Sequence, residues 1–166
     1  MDKLWAPWRI KYLSNDKAKK KAKGCIFCSA LKSKAHQEVI FRHKHSFCIL
    51  NIFPYNNGHV MVVPNRHVPD LADLKDNEML DLFKSLNTAK MIIDKTLKPD
   101  GYNMGINISA HAGAGIPKHV HIHVVPRWKG DTNFMPVVHN TKIISQSLEE
   151  LKNILKSEYA RSKRNK

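Results

Sequence analysis

The chain contains no apolar run near the roughly 18 residues that a membrane-spanning helix needs. Its start, MDKLWAPWRI, lacks the apolar stretch of a secretory signal. No membrane partner is expected, and a cytoplasmic location is. Cysteine is scarce: three residues in 166 cannot staple a fold, and an odd number cannot all pair. Glycine and proline, at 7 and 8, are too few for a collagenous or low-complexity chain. Acidic residues are also few, 14 against 28 Lys and Arg, which leaves a net charge of +14.

What is present is ordinary globular composition, 42% hydrophobic and 25% charged. A domain of this length buries roughly 70% of its unfolded surface, so neither a disulfide nor a metal is required for folding. The basic excess is uneven. Residues 1–23 hold eight Lys/Arg against two acids and residues 151–166 six against one, whereas residues 24–150 hold fourteen against eleven. The runs DKAKKKAK and ARSKRNK read as solvated segments. The chain accordingly divides into a basic N-terminal extension (1–23), one folded body (24–160) and a basic C-terminal tail (161–166). Such tails attract polyanions over a distance that salt shortens.

Within the body, residues 37–41, 46–52 and 59–63 read as strands, the last two forming an antiparallel hairpin closed by Asn56-Asn57-Gly58. From Asp76 the apolar spacing becomes helical through Met79, Leu82, Phe83, Leu86, Ala89 and Ile93, and Pro99-Asp100-Gly101 ends the run. Residues 102–108 and 119–125 read as two further strands, and Leu148, Leu151, Leu155 and Tyr159 predict a last amphipathic helix ending near Tyr159. The plan is α+β: a mostly antiparallel sheet with one main helix and a C-terminal helix.

The densest chemical signal is His119-Val120-His121-Ile122-His123-Val124-Val125. Interleaved β-branched residues predict a strand with one apolar face buried and three imidazoles on the other, neighbours roughly 7 Å apart. The outer two then stand about 13 Å apart, too far to share a metal at a bond length of roughly 2.1 Å. The three must therefore divide their roles. A neutral imidazole is a nucleophile, or an acid or base, near neutral pH, and its attack on phosphorus gives a reactive phosphoramidate. The preceding Ala112-Gly113-Ala114-Gly115-Ile116 is small enough for backbone N–H groups to approach phosphate oxygens, with Gly113 and Gly115 as the candidate contacts.

Cys25-Ile26-Phe27-Cys28 has metal or redox spacing. A thioredoxin-like role expects the pair at a helix start within a parallel-sheet fold, and a zinc ribbon expects a second cysteine pair. Only Cys48 remains, within an apolar strand. A metal held by the pair would thus take histidines as its other ligands, from among His36, His43, His45, His59, His67, His111, His139 and the triple.

These residues together resemble the histidine triad superfamily, whose signature is His-x-His-x-His followed by two apolar residues, here HVHIHVV. The resemblance runs from about Gly24 to Arg127 and takes in CIFC, ILNIFPYNNGHVMVVPNRH and GYNMGIN. WAPWRIKY and VVPRWKGDTNFMPV resemble the bacterial branch akin to diadenosine tetraphosphate phosphorylases and hydrolases. It implies a histidine-triad-like fold over residues 24–160. It also implies that His121 is the nucleophile that takes a nucleoside monophosphate, that His123 hydrogen-bonds the phosphate or bridging oxygen, and that His59 buttresses the triad. By the same resemblance Asn51 meets the ribose and Asn107 the phosphate, while Cys25, Cys28, His67 and His119 hold a structural zinc ion. One departure is that Gly115-Ile116 stands where many members carry Gln-Ser or Gln-Thr, which fits the phosphorylase-like branch and leaves phosphate contacts to the backbone.

The implied function is a nucleotidyl hydrolase or transferase that cleaves a dinucleoside polyphosphate at the α-phosphate, working as a homodimer. Two other readings compete: a nucleic-acid 5′-adenylate hydrolase served by the basic runs, which is the less favoured use of that charge, and a zinc-organised nucleotide-binding module with an inert triad.

Overall fold

The computed structural model describes residues 24–33, 36–131 and 143–164. The basic extension over 1–23, with its WAPWRIKY motif, lies outside the described residues, as do His139 and residues 165–166. Helix α1 (Ile26–Lys32) leads into strands β1 (Val39–Arg42), β2 (Ser46–Leu50) and β3 (Val60–Pro64). The long helix α2 (Asp76–Leu97) follows, then β4 (Gly101–Ile106), β5 (Ile122–Arg127) and helix α3 (Leu148–Arg164). The strands form one antiparallel sheet in the order β1-β2-β3-β5-β4, so the expected α+β architecture is observed. No helix among the described residues is long and apolar enough to cross a membrane.

Strand alternation decides which side chains meet which layer. Cys48, Leu50, Val60, Val62, Ile122 and Val124 point to the face covered by α2 and α3. Phe47, Ile49, Met61 and Val63 point to the other face, where Phe27 and Ala30 of α1 pack on them. With both faces covered, β2 and β3 are buried at every position. Met61 stands opposite His123 in the β3–β5 register, so His123 lies on the α1 side of the sheet.

Helix α2 starts where the Lys75 N–H donates to Glu78 Oε2 at 2.9 Å, and it ends at Lys98, whose left-handed φ of 48° precedes Pro99. Its buried stripe is Leu82, Ser85, Leu86, Ala89, Ile92 and Ile93. Phe83, expected in that stripe, is exposed, while Ser85 is buried in a polar network that apolar periodicity does not register. The β2–β3 turn requires its glycine: Gly58 has φ +75°, and a Cβ there would lie 2.6 Å from Leu97 Cδ1 and 3.0 Å from Pro126 Cγ.

Three sequence expectations change. The CIFC segment, for which apolar spacing predicts no regular element, forms the start of a short helix with Cys25 at its N-cap position and Cys28 inside it. The last strand begins at Ile122, so His119 and His121 precede it: the N–H of His119 donates to Ile116 O and that of Val120 to Val68 O, outside the sheet ladder. Helix α3 runs to Arg164 instead of stopping near Tyr159.

Candidate active site and metal-ligand cluster

Two groups of side chains meet beneath the face of the sheet that α1 covers. In the first, Cys25 and Cys28 at the start of α1 meet His67, three residues past β3, and His119. Their four ligand atoms all lie within 4.8 Å of one another. Cys25 Sγ is 3.3 Å and Cys28 Sγ 3.7 Å from His119 Nδ1, and Cys28 Sγ is 3.2 Å from His67 Nδ1. Tetrahedral coordination with Zn–S near 2.3 Å and Zn–N near 2.0–2.1 Å requires S···N separations of about 3.6 Å. The tautomer of His119 also fits: its Nε2–H donates to Pro64 O at 2.9 Å, which leaves the Nδ1 lone pair facing the thiols. Without a cation, burial and the neighbouring Cys25 push the Cys28 thiol up, and burial lowers His119. The four residues could hold a metal ion, and they would fill a tetrahedral shell. His36, His43, His45, His59 and His111 are not in this cluster.

The second group is His121, His123 and His59. His121 is buried, and its Nδ1–H donates to His119 O at 2.9 Å, so Nε2 carries the lone pair. Its ring packs against Phe27, with centroids 5.0 Å apart, and against His123, also at 5.0 Å. His59 Nδ1 accepts the Tyr55 N–H at 3.0 Å. That fixes the proton of His59 on Nε2, from which it donates to His123 Nδ1 at 2.9 Å. His123 in turn carries its proton on Nε2. The chain of hydrogen bonds thus prepares one imidazole with an available lone pair beside one with an available N–H. Burial, reinforced by His123 and His121, lowers His59 to about 3, and burial with His121 lowers His123 to about 4. Burial also lowers His121, opposed by the His119 carbonyl.

The expectation of three imidazoles in a row on one open strand face is therefore corrected. His119 and His121 are buried, at 0% and 4% exposure, and face different partners because the chain enters β5 only after them. Asn51, expected at the ribose, is buried at the end of β2. Its Oδ1 accepts the Phe53 N–H at 3.0 Å, which turns Nδ2 to within 3.2 Å of His59 Nδ1. Asn107 is half-buried one residue past β4. Gly113, at φ +88°, ends the short helical turn Ala110–Ala112 and donates its N–H to Ala110 O at 3.0 Å. That N–H is engaged, whereas Gly115 is exposed and its N–H has no hydrogen-bond partner among the described residues. The anion cradle is narrower than the small-residue run implied.

Two site residues escaped the sequence reading. Phe27, with no exposure, separates the groups, its ring 5.4 Å from His119 and 5.0 Å from His121. Its position inside the cysteine motif was the only hint. Tyr55 fixes the His59 tautomer through its backbone and covers His59 and His123 with its ring, at 4.6 and 5.6 Å. Its place just before the Asn56-Asn57-Gly58 turn gives no sequence signal of that role.

The HIT domain model matches residues 32–130, more than half of the chain. The chain belongs to the HIT-domain family. Among HIT relatives, it is 36% identical to a Mycobacterium tuberculosis protein named AP-4-A phosphorylase, over 97% of this chain and 86% of that one. It is 38% identical to the asymmetrical bis(5′-nucleosyl)-tetraphosphatase of Schizosaccharomyces pombe, over 62% of this chain and 56% of the relative. A zinc-bound histidine triad family protein from Mycobacterium smegmatis superposes with a TM-score of 0.70 at 26% identity, covering 86% of this chain and 98% of that one.

Proposed function

We propose that this HIT-family protein is a nucleotidyltransferase that cleaves dinucleoside polyphosphates of the diadenosine tetraphosphate type at the α-phosphate. The observation that carries the reading is the pairing of His121, with its lone pair on Nε2, and His123, with its proton on Nε2. His121 Nε2 attacks the α-phosphorus, and the bond from phosphorus to the bridging oxygen breaks. The electron pair leaves on the nucleoside polyphosphate, and His123 Nε2–H hydrogen-bonds the oxygen where charge develops. The resulting nucleotidyl-imidazolium keeps its Nδ1–H on the His119 carbonyl. An acceptor then attacks the same phosphorus and restores His121. Orthophosphate is the acceptor favoured by the 36% identity to a phosphorylase along nearly the whole chain and by Gly115-Ile116 in place of a side-chain phosphate clamp.

Cys25, Cys28, His67 and His119 would hold zinc. With all four positions of a tetrahedral ion taken by protein, such an ion would be structural, tying α1 to the segment that carries His121. Asn51, Asn107 and Gly115 are proposed contacts for ribose and phosphate. A cytoplasmic homodimer is the proposed working form, on the family resemblance alone.

Incubation with diadenosine tetraphosphate, with and without orthophosphate, tests the reading. ATP with ADP, formed only when phosphate is present, is the expected result. ATP with AMP regardless of phosphate would make water the acceptor, and no turnover under either condition would overturn the enzyme reading in favour of a binding module.

A further inference from the structure

Both thiols of the metal-ligand cluster sit at the start of α1, a helix of only seven residues. Isolated helices shorter than about 12–15 residues are marginal in water. The amino end of α1 has no side-chain cap, since Cys25 is itself the N-cap, and only Phe27 and Ala30 are buried. Its carboxyl end is gripped by a single side chain. Arg42, the last residue of β1, donates from Nη2 to Ala30 O at 2.7 Å and to Ser33 O at 2.9 Å, and from Nη1 to Leu31 O at 3.3 Å. One planar cation thereby closes three carbonyls at the end of the helix and meets the negative end of its dipole. No carboxylate among the described residues forms an ion pair with Arg42.

The guanidinium is itself held in place. Arg42 stands opposite Phe47 in the β1–β2 register, its guanidinium lies 5.9 Å from the Phe47 ring centroid, and its carbonyl accepts the Tyr159 hydroxyl at 3.4 Å. A grip on the carbonyls of Ala30, Leu31 and the C-cap Ser33 restrains both the rotation and the translation of α1 relative to the sheet. Metal ligands tolerate displacements of only about 0.2 Å, so slippage of α1 removes Cys25 and Cys28 from His67 and His119 long before the domain unfolds.

We propose that Arg42 is the positioning residue of the metal centre, holding the Cys25–Cys28 helix in the register that coordination requires. The proposal rests on the reading that the four-residue cluster binds zinc. The test compares wild type, Arg42→Met, Arg42→Lys and, as a control on the α2 side of the sheet, Ile93→Val. For each, zinc release to excess chelator is followed with a zinc-sensitive dye, and Tm is measured in parallel. Arg42→Met is expected to release zinc about tenfold faster or more, the usual scale for a group supporting metal ligands. Arg42→Lys, which keeps the charge but loses the fork, is also expected to release zinc faster than wild type. Ile93→Val is expected to lower Tm with an unchanged release rate. Zinc-loaded wild type with Arg42→Met within twofold of it overturns the proposal alone, as does Ile93→Val matching the acceleration. If Arg42→Met does not fold, the same twofold criterion applies to Arg42→Lys. A wild type that carries no zinc overturns the zinc reading, and this proposal with it.

Discussion

The chemistry of the site depends on where single protons sit. In the proposed mechanism His121 must be neutral to attack, and burial holds it neutral to a pH below the ordinary imidazole value of 6.5. His123, at about 4, likewise stays uncharged through that range. The plateau of kcat/KM is therefore expected to continue as pH falls through 6.5, with the decline beginning only at lower pH. A profile between pH 4 and 8 checks this, and half-loss at pH 6.5 or above would mean that His121 is more solvated than its packing against Phe27 allows. The proposed zinc site yields a second expectation at this scale. Zinc analysis should find one ion per chain. Cys25→Ser should lower Tm more than it lowers kcat of the folded enzyme, because the thiol meets His119 and not the reacting atoms. A Cys25→Ser protein with wild-type Tm and collapsed kcat would place the metal in the chemistry instead.

At the scale of elements, helix α2 is joined to β2 by a polar chain on the face of the sheet away from His59, His121 and His123. Ser46 Oγ donates to Asp81 Oδ2 at 2.6 Å, Ser85 Oγ lies 2.7 Å from Ser46 Oγ, and His43 Nδ1 lies 2.8 Å from Ser85 Oγ. Ser85→Ala breaks this chain where both serines are fully buried. It is expected to cost about 1–3 kcal/mol in denaturant unfolding while leaving kcat unchanged. Loss of kcat without loss of stability would show coupling through the sheet. The elements differ in how well the sequence announced them. The α2 stripe and the β2–β3 hairpin were legible because their apolar spacing and the Asn-Asn-Gly turn are local signals. The entry into β5 was not, since β-branched residues alternate with histidine through 119–125 while the N–H groups of His119 and Val120 find partners in Ile116 and Val68. Those partners are set by tertiary structure. The same holds for the Pro64 carbonyl behind His119 and for Arg42 behind α1, which no spacing rule reaches. The gathering of Cys25, Cys28, His67 and His119, and the proposed role of His121, were legible through motif resemblance, whereas the proton positions became visible only in the hydrogen-bond chain.

For the whole molecule, a net charge of +14 suits the polyanionic substrate proposed for it. Attraction over about one Debye length, near 10 Å at 0.1 M salt, is expected to assist capture without altering the chemical step. Deleting residues 161–166 removes the last turn of α3, including Lys163, whose Nζ lies 4.9 Å from the Tyr159 ring centroid. The buried Leu151 and Leu155 and the Phe41–Tyr159 stack lie upstream. The truncated protein is expected to lose less than about 1 kcal/mol of stability, to keep kcat, and to show a modest fall in kcat/KM at low salt that disappears as salt rises. A loss of kcat that persists at high salt would show that this end of the chain reaches the site. The central claim is that His121 carries the nucleotide between donor and acceptor, and its most direct test is a denaturing quench at alkaline pH during turnover of diadenosine tetraphosphate, followed by peptide mass spectrometry. One adenylyl group on His121, absent from His121→Ala, is the expected result; turnover with no adduct, or an adduct confined to another residue, would contradict it.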